Sequence, residues 1–258
     1  MKTIVFANQK GGTGKTTTVI NTGDALARAG KRVLLVDFDP QGHVAVSLNL
    51  DTEGGVANWL LHSVFNSSPL SSTDLNQWVR KTHHENLYVL PGSQMTAKVQ
   101  RLLAMEEKPV NYIRECLPPL RQLGFDFLLF DTSPSTGGLQ EMASWAADLA
   151  VIVSSLDYLS ADGVSGFLEM LKVLQTEKQW RGKLAGVLPT FYDKQTRTTR
   201  EQMTNLQKAF PDQVFTPIHR ATLLREASAE GLTIFQKDPS SRPAREYKKF
   251  AAQLAKLS

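Results

Sequence analysis

The stretch NQKGGTGKTT at residues 8–17 decides the fold, because a strand pattern precedes it and a helix pattern follows it. Residues 3–7 form a short apolar run with β-branched side chains, which predicts a buried strand. Apolar residues then recur at helical spacing from Val19 to Ala27, and Gly30 predicts the end of that helix. Glycines between the two elements let the backbone curl with its N–H groups inward, and the helix dipole attracts an anion to the curl. The stretch therefore predicts a polyphosphate site.

The residue types inside this loop refine that prediction. Lys15 is expected to reach the terminal phosphates, and the Thr16 hydroxyl is expected to bind Mg²⁺. The general phosphate-loop pattern has a glycine where this chain has Gln9, and a second lysine, Lys10, stands inside the loop. The chain thereby resembles the deviant P-loop, Lys-Gly-Gly-x-Gly-Lys-Thr-Thr, of the ParA/MinD family of ATPases.

The resemblance implies a homodimer with two ATP molecules held between the subunits. Lys10 of one subunit is expected to contact the phosphates bound by the other, so Lys10 and Lys15 are both predicted catalytic residues. The predicted ATP-binding residues of the loop are Lys10, Gly11, Gly12, Thr13, Gly14, Lys15, Thr16 and Thr17.

Length and composition favour one large α/β domain over residues 1–258, because no linker interrupts the pattern. A single cysteine, Cys116, cannot form an internal disulfide or ligate an iron–sulfur cluster within one chain. The N-terminus enters a strand at once, and no apolar stretch approaches the ~18 residues of a membrane span. We therefore expect a cytoplasmic protein.

Two aspartates follow the second predicted strand, in the segment DFDPQG at residues 37–42. Carboxylates at the end of a parallel strand beside a phosphate loop lie where open α/β sheets bind ligands. The segment matches the Asp-x-Asp-Pro-Gln-Gly motif of the family. By that resemblance Asp39 positions or activates the attacking water, and Asp37 helps to hold the water shell of the metal. The alternative is that the pair only caps the next helix, and it is stronger for Asp37.

A fully apolar strand ends in Asp131, within the segment FDFLLFDTSP at residues 125–134. Such a strand needs both faces covered, and its final carboxylate is aimed at the Mg²⁺ shell, as in the Walker B motif. Ser133 stands where family members usually have proline. Gly137 and Gly138 would let the following loop move with the terminal phosphate.

Three further assignments rest on the resemblance. Asp157 follows a strand where family members carry an acid that approaches the partner's nucleotide, and a role as a helix N-cap is the open alternative. Pro189 and Pro217 lie in segments that resemble the family's adenine-binding region, where a proline ring can pack on the purine.

Basic residues are concentrated in the C-terminal part of the chain. Residues 1–171 carry 13 Lys/Arg against 17 Asp/Glu, whereas residues 172–258 carry 16 against 8. Such asymmetry is typical of a surface for a polyanion, although a solvated lysine-rich face is the alternative. The candidate DNA-binding residues are Lys194, Arg197, Arg200, Arg220 and Arg225. Arginine interspersed with serine and threonine favours phosphate contacts over base reading.

The last predicted helix, residues 243–257, has Tyr247, Phe250, Leu254 and Leu257 on one side. A MinD-like helix that binds membranes would be a free tail dense in bulky residues. This helix has alanines on its apolar side, so docking on the core is favoured and membrane binding is not expected.

The resemblance implies a doubly wound, mostly parallel sheet with helices on both faces. It also implies a ParA-type ATPase that binds non-specific DNA of the nucleoid as the ATP dimer. A ParB-like protein or a cargo adaptor would stimulate it, and the cargo would be a plasmid, a chromosome or a complex such as a carboxysome. The alternatives are a MinD-like membrane-cycling ATPase, a metabolic or cluster-carrier member, and a scaffold that senses nucleotide without hydrolysis.

Overall fold

The computed structural model describes residues 1–65, 70–134, 138–156 and 160–257. Its strands are β1 (Lys2–Ala7), β2 (Val33–Asp37), β3 (Arg80–Lys81), β4 (Leu87–Leu90), β5 (Phe127–Asp131), β6 (Leu149–Ser155) and β7 (Lys183–Thr190). They form one sheet in the order β3-β4-β2-β5-β1-β6-β7. All neighbouring pairs in it are parallel except β3 with β4. The predicted doubly wound, mostly parallel sheet is confirmed.

Helices connect these strands and cover both faces of the sheet. In chain order they are α1 (Lys15–Arg28), α2 (His43–Val46), α3 (Gly55–Phe65), α4 (Ser72–Trp78), α5 (Gln94–Met105), α6 (Tyr112–Glu115), α7 (Pro118–Gln122), α8 (Leu139–Ala146), α9 (Ser160–Thr176), α10 (Arg197–Ala209), α11 (Thr222–Ala229), α12 (Ile234–Lys237) and α13 (Arg242–Lys256). In the part of the chain that the structure describes, no helix is long and apolar enough to cross a membrane.

Alternation along the strands divides the core into two layers, because successive strand residues point to opposite faces of a sheet. Val5, Leu34 and Leu128 pack in the layer that contains Trp59 of α3 and Phe167 of α9. Their immediate neighbours Ile4, Val33 and Leu129 pack in the opposite layer with residues of α1 and α13. Because both faces are covered, the central strands carry no polar alternation before their final residues.

Helix α13 is docked on the protein, as the sequence predicted. Tyr247, Phe250 and Leu254 are at most 1% exposed. The Phe250 ring makes edge-to-face contacts with Phe6 and Phe215, at centroid distances of 6.4 and 4.9 Å. Leu257 was predicted on the same apolar side, but it is 38% exposed, because the helix ends at Lys256.

Replacing Phe250 with alanine should destabilise the whole domain, because the ring is fully buried and packs against the rings of Phe6 in β1 and Phe215. The free energy of unfolding should fall by about 3–5 kcal/mol, the usual cost of removing a buried phenylalanine ring. Urea denaturation measures this change. Lys249→Ala, at the exposed neighbouring position, serves as the control and should change stability by less than about 0.5 kcal/mol. A similarly small effect of Phe250→Ala would show that α13 does not depend on this contact.

Candidate nucleotide site

The sheet brings the three predicted parts of the site to one edge. In the parallel register, Phe6 of β1 is opposite Asp131 of β5, and Asp131 is opposite Asp37 of β2. The phosphate loop, residues 8–14, leaves β1 at this same edge and enters α1 at Lys15. The site therefore lies at the carboxyl ends of the strands, as open α/β sheets require.

The loop curls around the Lys15 ammonium group. Gly12 and Gly14 have φ angles of +71° and +85°, which a glycine adopts without steric cost. Lys15 Nζ donates hydrogen bonds to the carbonyl oxygens of Asn8, at 3.2 Å, and Lys10, at 3.0 Å. Burial lowers the pKa of Lys15, while the nearby carboxylates of Asp131 and Asp39 oppose that shift. The predicted phosphate-binding lysine thus lies within the curl and close to both predicted carboxylates.

Thr16 and Asp131 fit a magnesium site. Thr16 Oγ1 donates a hydrogen bond to Asp131 Oδ2 at 2.7 Å. The other carboxylate oxygen, Asp131 Oδ1, is buried and has no hydrogen-bond partner within the described residues. Burial is the main cause that raises the pKa of Asp131 to about 7. A divalent cation would stabilise the ionised carboxylate, and hydroxyl and carboxylate oxygens are ligands that suit Mg²⁺.

Both carboxylate oxygens of Asp37 accept backbone hydrogen bonds from the turn that follows it. Its Oδ1 accepts the backbone N–H of Asp39 at 2.9 Å, and its Oδ2 accepts that of Val44 at 3.1 Å. Burial, and next the charge of Asp131, raise the pKa of Asp37 well above its usual value. These bonds match the capping alternative, and they fix the turn that carries Asp39. A role of Asp37 in the metal's water shell stays a prediction.

Asp39 stands at the mouth of the site. It is half-buried, and its Oδ1 accepts the backbone N–H of Gln41 at 2.9 Å. Its negative charge acts to raise the pKa of both Lys15 and Asp131. The structure therefore places the predicted water-positioning carboxylate beside the phosphate loop.

Residues that the sequence analysis did not select hold the first half of the loop. The buried Asn8 side chain donates to the carbonyl oxygen of Val153 in β6, and its Oδ1 accepts the backbone N–H of Lys10, both at 2.9 Å. Helix α9 crosses this point at Gly163. A Cβ atom on Gly163 would lie 2.2 Å from Asn8 Oδ1 and 3.0 Å from Lys10 Cβ. The available signal was a pair of glycines, Gly163 and Gly166, in an otherwise amphipathic helix.

A cavity of about 710 Å³ adjoins the loop on the side of Thr17. Its walls include Gly14, Thr190, Phe191 and Ile218. The volume lies within the range of small-molecule sites, which is about 300–1,000 Å³. The two segments predicted to hold adenine therefore do flank the loop. Within them, residues 190 and 218 line the cavity, whereas the preceding prolines do not.

The two prolines themselves do not line this cavity. Pro189 is buried within β7, and Pro217 is half-buried. Thr190, the residue after Pro189, donates a hydrogen bond from Oγ1 to the carbonyl oxygen of Thr13 at 2.7 Å. Contacts of Pro189 and Pro217 with adenine stay predictions.

The five predicted DNA-binding residues fall into two groups. Arg220 and Arg225 line the cavity beside the phosphate loop, and the Arg220 guanidinium lies 5.4 Å from the centre of the Phe191 ring. Lys194, Arg197 and Arg200 are exposed around the start of α10. There Arg197 pairs with Glu201 at 2.6 Å. Asp157, the predicted cross-dimer acid, lies outside the described residues.

Comparisons with known proteins place this chain in a family. A family model described as an AAA domain matches residues 1–184. The chain is 34% identical to the chromosome-partitioning ATPase Soj of Treponema pallidum (strain Nichols), over 98% of this chain and 96% of that protein. It is 33% identical to the sporulation initiation inhibitor protein Soj of Bacillus subtilis (strain 168), over 98% of each.

Solved structures show the same fold. An ATP complex of McdA from Cyanothece has a TM-score of 0.85 at 20% identity, over 99% of this chain and 96% of that one. Cobyrinic acid a,c-diamide synthase from Mycobacterium smegmatis, with ADP and magnesium bound, has a TM-score of 0.79 at 29% identity, over 99% of this chain and 94% of that one.

Replacing Gly163 with alanine should weaken nucleotide binding while the domain stays folded. The added methyl group would meet Asn8 Oδ1, which is held by the Lys10 N–H, so the loop or the helix must shift. Overpacking of this kind costs about 1–3 kcal/mol, and a loss of that size from the binding free energy lowers ATP affinity about 5- to 150-fold. Isothermal titration calorimetry measures the affinity for ATP. Ser165→Ala, at an exposed position of the same helix, is the control, and equal affinities of the two variants would contradict the assignment.

Proposed function

Because this chain belongs to the ParA/MinD family of deviant Walker A ATPases, we propose that it is a partition-type ATPase. In this proposal it dimerises around ATP, holds non-specific DNA as the dimer and releases that DNA when ATP is hydrolysed. ATP and Mg²⁺ are its cofactors. The observation that carries the proposal is the convergence of Lys15, Thr16 and Asp131 on one phosphate loop that also contains Lys10.

Binding of the triphosphate uses groups that the fold has already placed. The loop N–H groups and the N-terminus of α1 face the phosphates, and Lys15 exchanges its contacts with carbonyl oxygens for phosphate oxygens. Thr16 and Asp131 would hold Mg²⁺, which when bound neutralises the charge that develops on the phosphates. The nucleoside occupies the cavity that Thr190 and Phe191 line.

Hydrolysis requires a positioned water and an additional positive charge. Asp39 orients the water, because it is a half-buried carboxylate at the mouth of the loop. Lys10 supplies the charge in trans, to the nucleotide of the second subunit. Its backbone is fixed at both ends, since its N–H is held by Asn8 and its carbonyl oxygen accepts from Lys15. A cation supplied in trans contributes about 10³–10⁵ in rate in other phosphoryl-transfer enzymes.

Two of the proposed DNA-binding residues also line the nucleotide cavity. Arg220 and Arg225 line that cavity, so dimer closure around ATP would change the surface they present. Together with Lys194, Arg197 and Arg200 they would contact DNA phosphates on the nucleoid. Slow turnover of the isolated dimer, raised by a ParB-like protein or cargo adaptor, would time the release of DNA. Helix α13 packs on the core through Tyr247, Phe250 and Leu254, so the apolar face of this helix is not available as a membrane anchor.

Removing the Lys10 ammonium group should abolish ATP-dependent dimerisation without unfolding the monomer. Lys10→Ala leaves the backbone hydrogen bonds of the loop available, so each monomer should still bind ATP. Light scattering with a non-hydrolysable ATP analogue and Mg²⁺ measures the mass, and Lys31→Ala, an exposed lysine beyond α1, is the control. A dimer of unchanged affinity in Lys10→Ala would refute the role in trans.

Removing the Asp39 carboxylate should preserve ATP binding but slow ATP hydrolysis. Asp39→Ala should bind ATP and dimerise, but its phosphate release should fall at least about 100-fold, because the water loses its positioning group. The variant should remain on DNA as long as ATP is present, which biolayer interferometry with random-sequence duplex measures. Glu53→Ala, a nearby exposed carboxylate, should behave as the unmodified protein does. Normal turnover in Asp39→Ala would count against this assignment.

A further inference from the structure

The segment at residues 218–220 runs beside the chain that leaves β7 and forms part of the wall of the nucleotide cavity. The N–H of Ile218 donates to the carbonyl oxygen of Pro189 at 2.9 Å, and the N–H of Arg220 donates to that of Tyr192 at 3.0 Å. These two bonds attach the segment to β7 and its extension. They also fix the backbone of Arg220, whose side chain is one of the proposed DNA contacts.

The carboxylate of Glu246 in α13 holds the middle of this segment. Its Oε2 accepts the backbone N–H of His219 at 2.9 Å, and its Oε1 lies 2.7 Å from Nδ1 of the His219 ring. Glu246 Oε1 also accepts a hydrogen bond from Arg242 Nε at 2.8 Å. The Glu246 side chain is only 13% exposed, so these contacts form in a largely desolvated place. Glu246 thereby joins the segment to the first residue of α13.

The ring of His219 is a neutral donor in this contact. Burial is the main cause that lowers the pKa of His219, the positive charges of Arg242 and Lys194 act in the same direction, and Glu246 opposes them. Since a carboxylate only accepts hydrogen bonds, the neutral ring donates from Nδ1. The same influences mean that Lys194 and Arg242 lie close enough to His219 for their charges to act on its ring.

Three cations therefore surround the carboxylate of Glu246. Arg220 follows His219 in the chain, and Lys194 and Arg242 act on the His219 ring. Lys194 and Arg220 are exposed, and the side chain of Arg242 is 51% exposed. The bond to Glu246 uses one of the five N–H donors of the Arg242 guanidinium. A carboxylate in such a patch repels DNA phosphates, so its charge alone would lower the affinity for DNA.

We propose that Glu246 is a positioning residue for DNA binding. Its carboxylate fixes His219 and Arg242, and it thereby orients Arg220 and Arg242 toward the same DNA backbone. An arginine that is already ordered loses less conformational entropy when it contacts a phosphate, and this gain outweighs the repulsion between Glu246 and DNA. The role rests on the proposed partition function, in which Arg220 contacts DNA.

The test is DNA binding by Glu246→Ala in the presence of a saturating non-hydrolysable ATP analogue and Mg²⁺. Glu201→Ala is the matched control, because Glu201 also pairs with an arginine four residues before it, Arg197, but at an exposed position of α10. Fluorescence anisotropy with a random-sequence duplex is measured over a series of salt concentrations. Charge alone predicts tighter DNA binding for both variants, whereas the positioning role predicts opposite effects.

Glu246→Ala should bind DNA at least about tenfold more weakly, and its slope of log K against log salt should fall by about 1–2, because the phosphate contacts of Arg220 and Arg242 are lost. Glu201→Ala should bind DNA as tightly as the unmodified protein or more tightly. Glu246→Gln should recover part of the affinity, because its amide oxygen can still accept the backbone N–H of His219. Light scattering confirms that each variant forms the ATP dimer, and thermal melting confirms that it folds.

If Glu246→Ala does not fold or dimerise, Glu246→Gln and Glu201→Gln carry the same comparison, and Glu246→Gln should bind DNA more weakly than Glu201→Gln. DNA binding by the Glu246 variant that equals or exceeds that of the unmodified protein would overturn the positioning role. An equal decrease in the Glu246 and Glu201 variants would overturn it as well, and so would equal binding by Glu246→Gln and Glu246→Ala. Failure of the unmodified ATP dimer to bind DNA is a different result, which would refute the proposed partition function and with it this role of Glu246.

Discussion

The buried carboxylate of Asp131 is the constraint on which the rest of the site depends. It lies at the end of a fully apolar strand, next in register to a second buried aspartate, and Thr16 donates to only one of its oxygens. Burial raises the pKa of Asp131 to about 7, which means that the ionised form is costly in the protein alone. A cation must lower that cost, and Lys15 supplies part of the charge from the adjacent loop. A divalent cation beside Asp131 would lower that cost further, because it stabilises the ionised carboxylate.

Contacts with β6, β7 and α9 hold the phosphate loop in place beside Asp131. Asn8 attaches the loop to β6, Thr190 attaches it to β7, and Gly163 lets α9 approach the backbone of Lys10. A shift of α9 at Gly163 would therefore displace Asn8 and the backbone of Lys10. The two lysines of the loop therefore share one support, because Asn8 contacts the backbone of one and the ammonium group of the other.

Sequence reasoning succeeded where local pattern and position in the sheet carry the information. The loop, the strand that ends in Asp131 and the docked face of α13 were predicted because each is a short, regular pattern with one stable arrangement. The family assignment was predicted from Lys10 and the DFDPQG segment, and it is confirmed. Contacts between distant parts of the chain were missed, since Asn8 and Gly163 are far apart in sequence and meet only in the folded sheet.

Other details depend on where individual atoms point. Pro189 and Pro217 are predicted adenine contacts, and their neighbours Thr190 and Ile218 line the cavity. For the pair in β7 the reason is that adjacent strand residues face opposite ways. The two oxygens of Asp37 accept backbone N–H groups, which a sequence motif cannot reveal.

The central claim is that ATP itself joins two copies of this chain through their phosphate loops. Sedimentation velocity of the unmodified protein, with a non-hydrolysable ATP analogue and Mg²⁺, tests that claim most directly. The account predicts a species of twice the 28.6 kDa mass of the chain, and return to the monomer when EDTA removes the metal. A monomer that persists at saturating analogue and Mg²⁺ would contradict it.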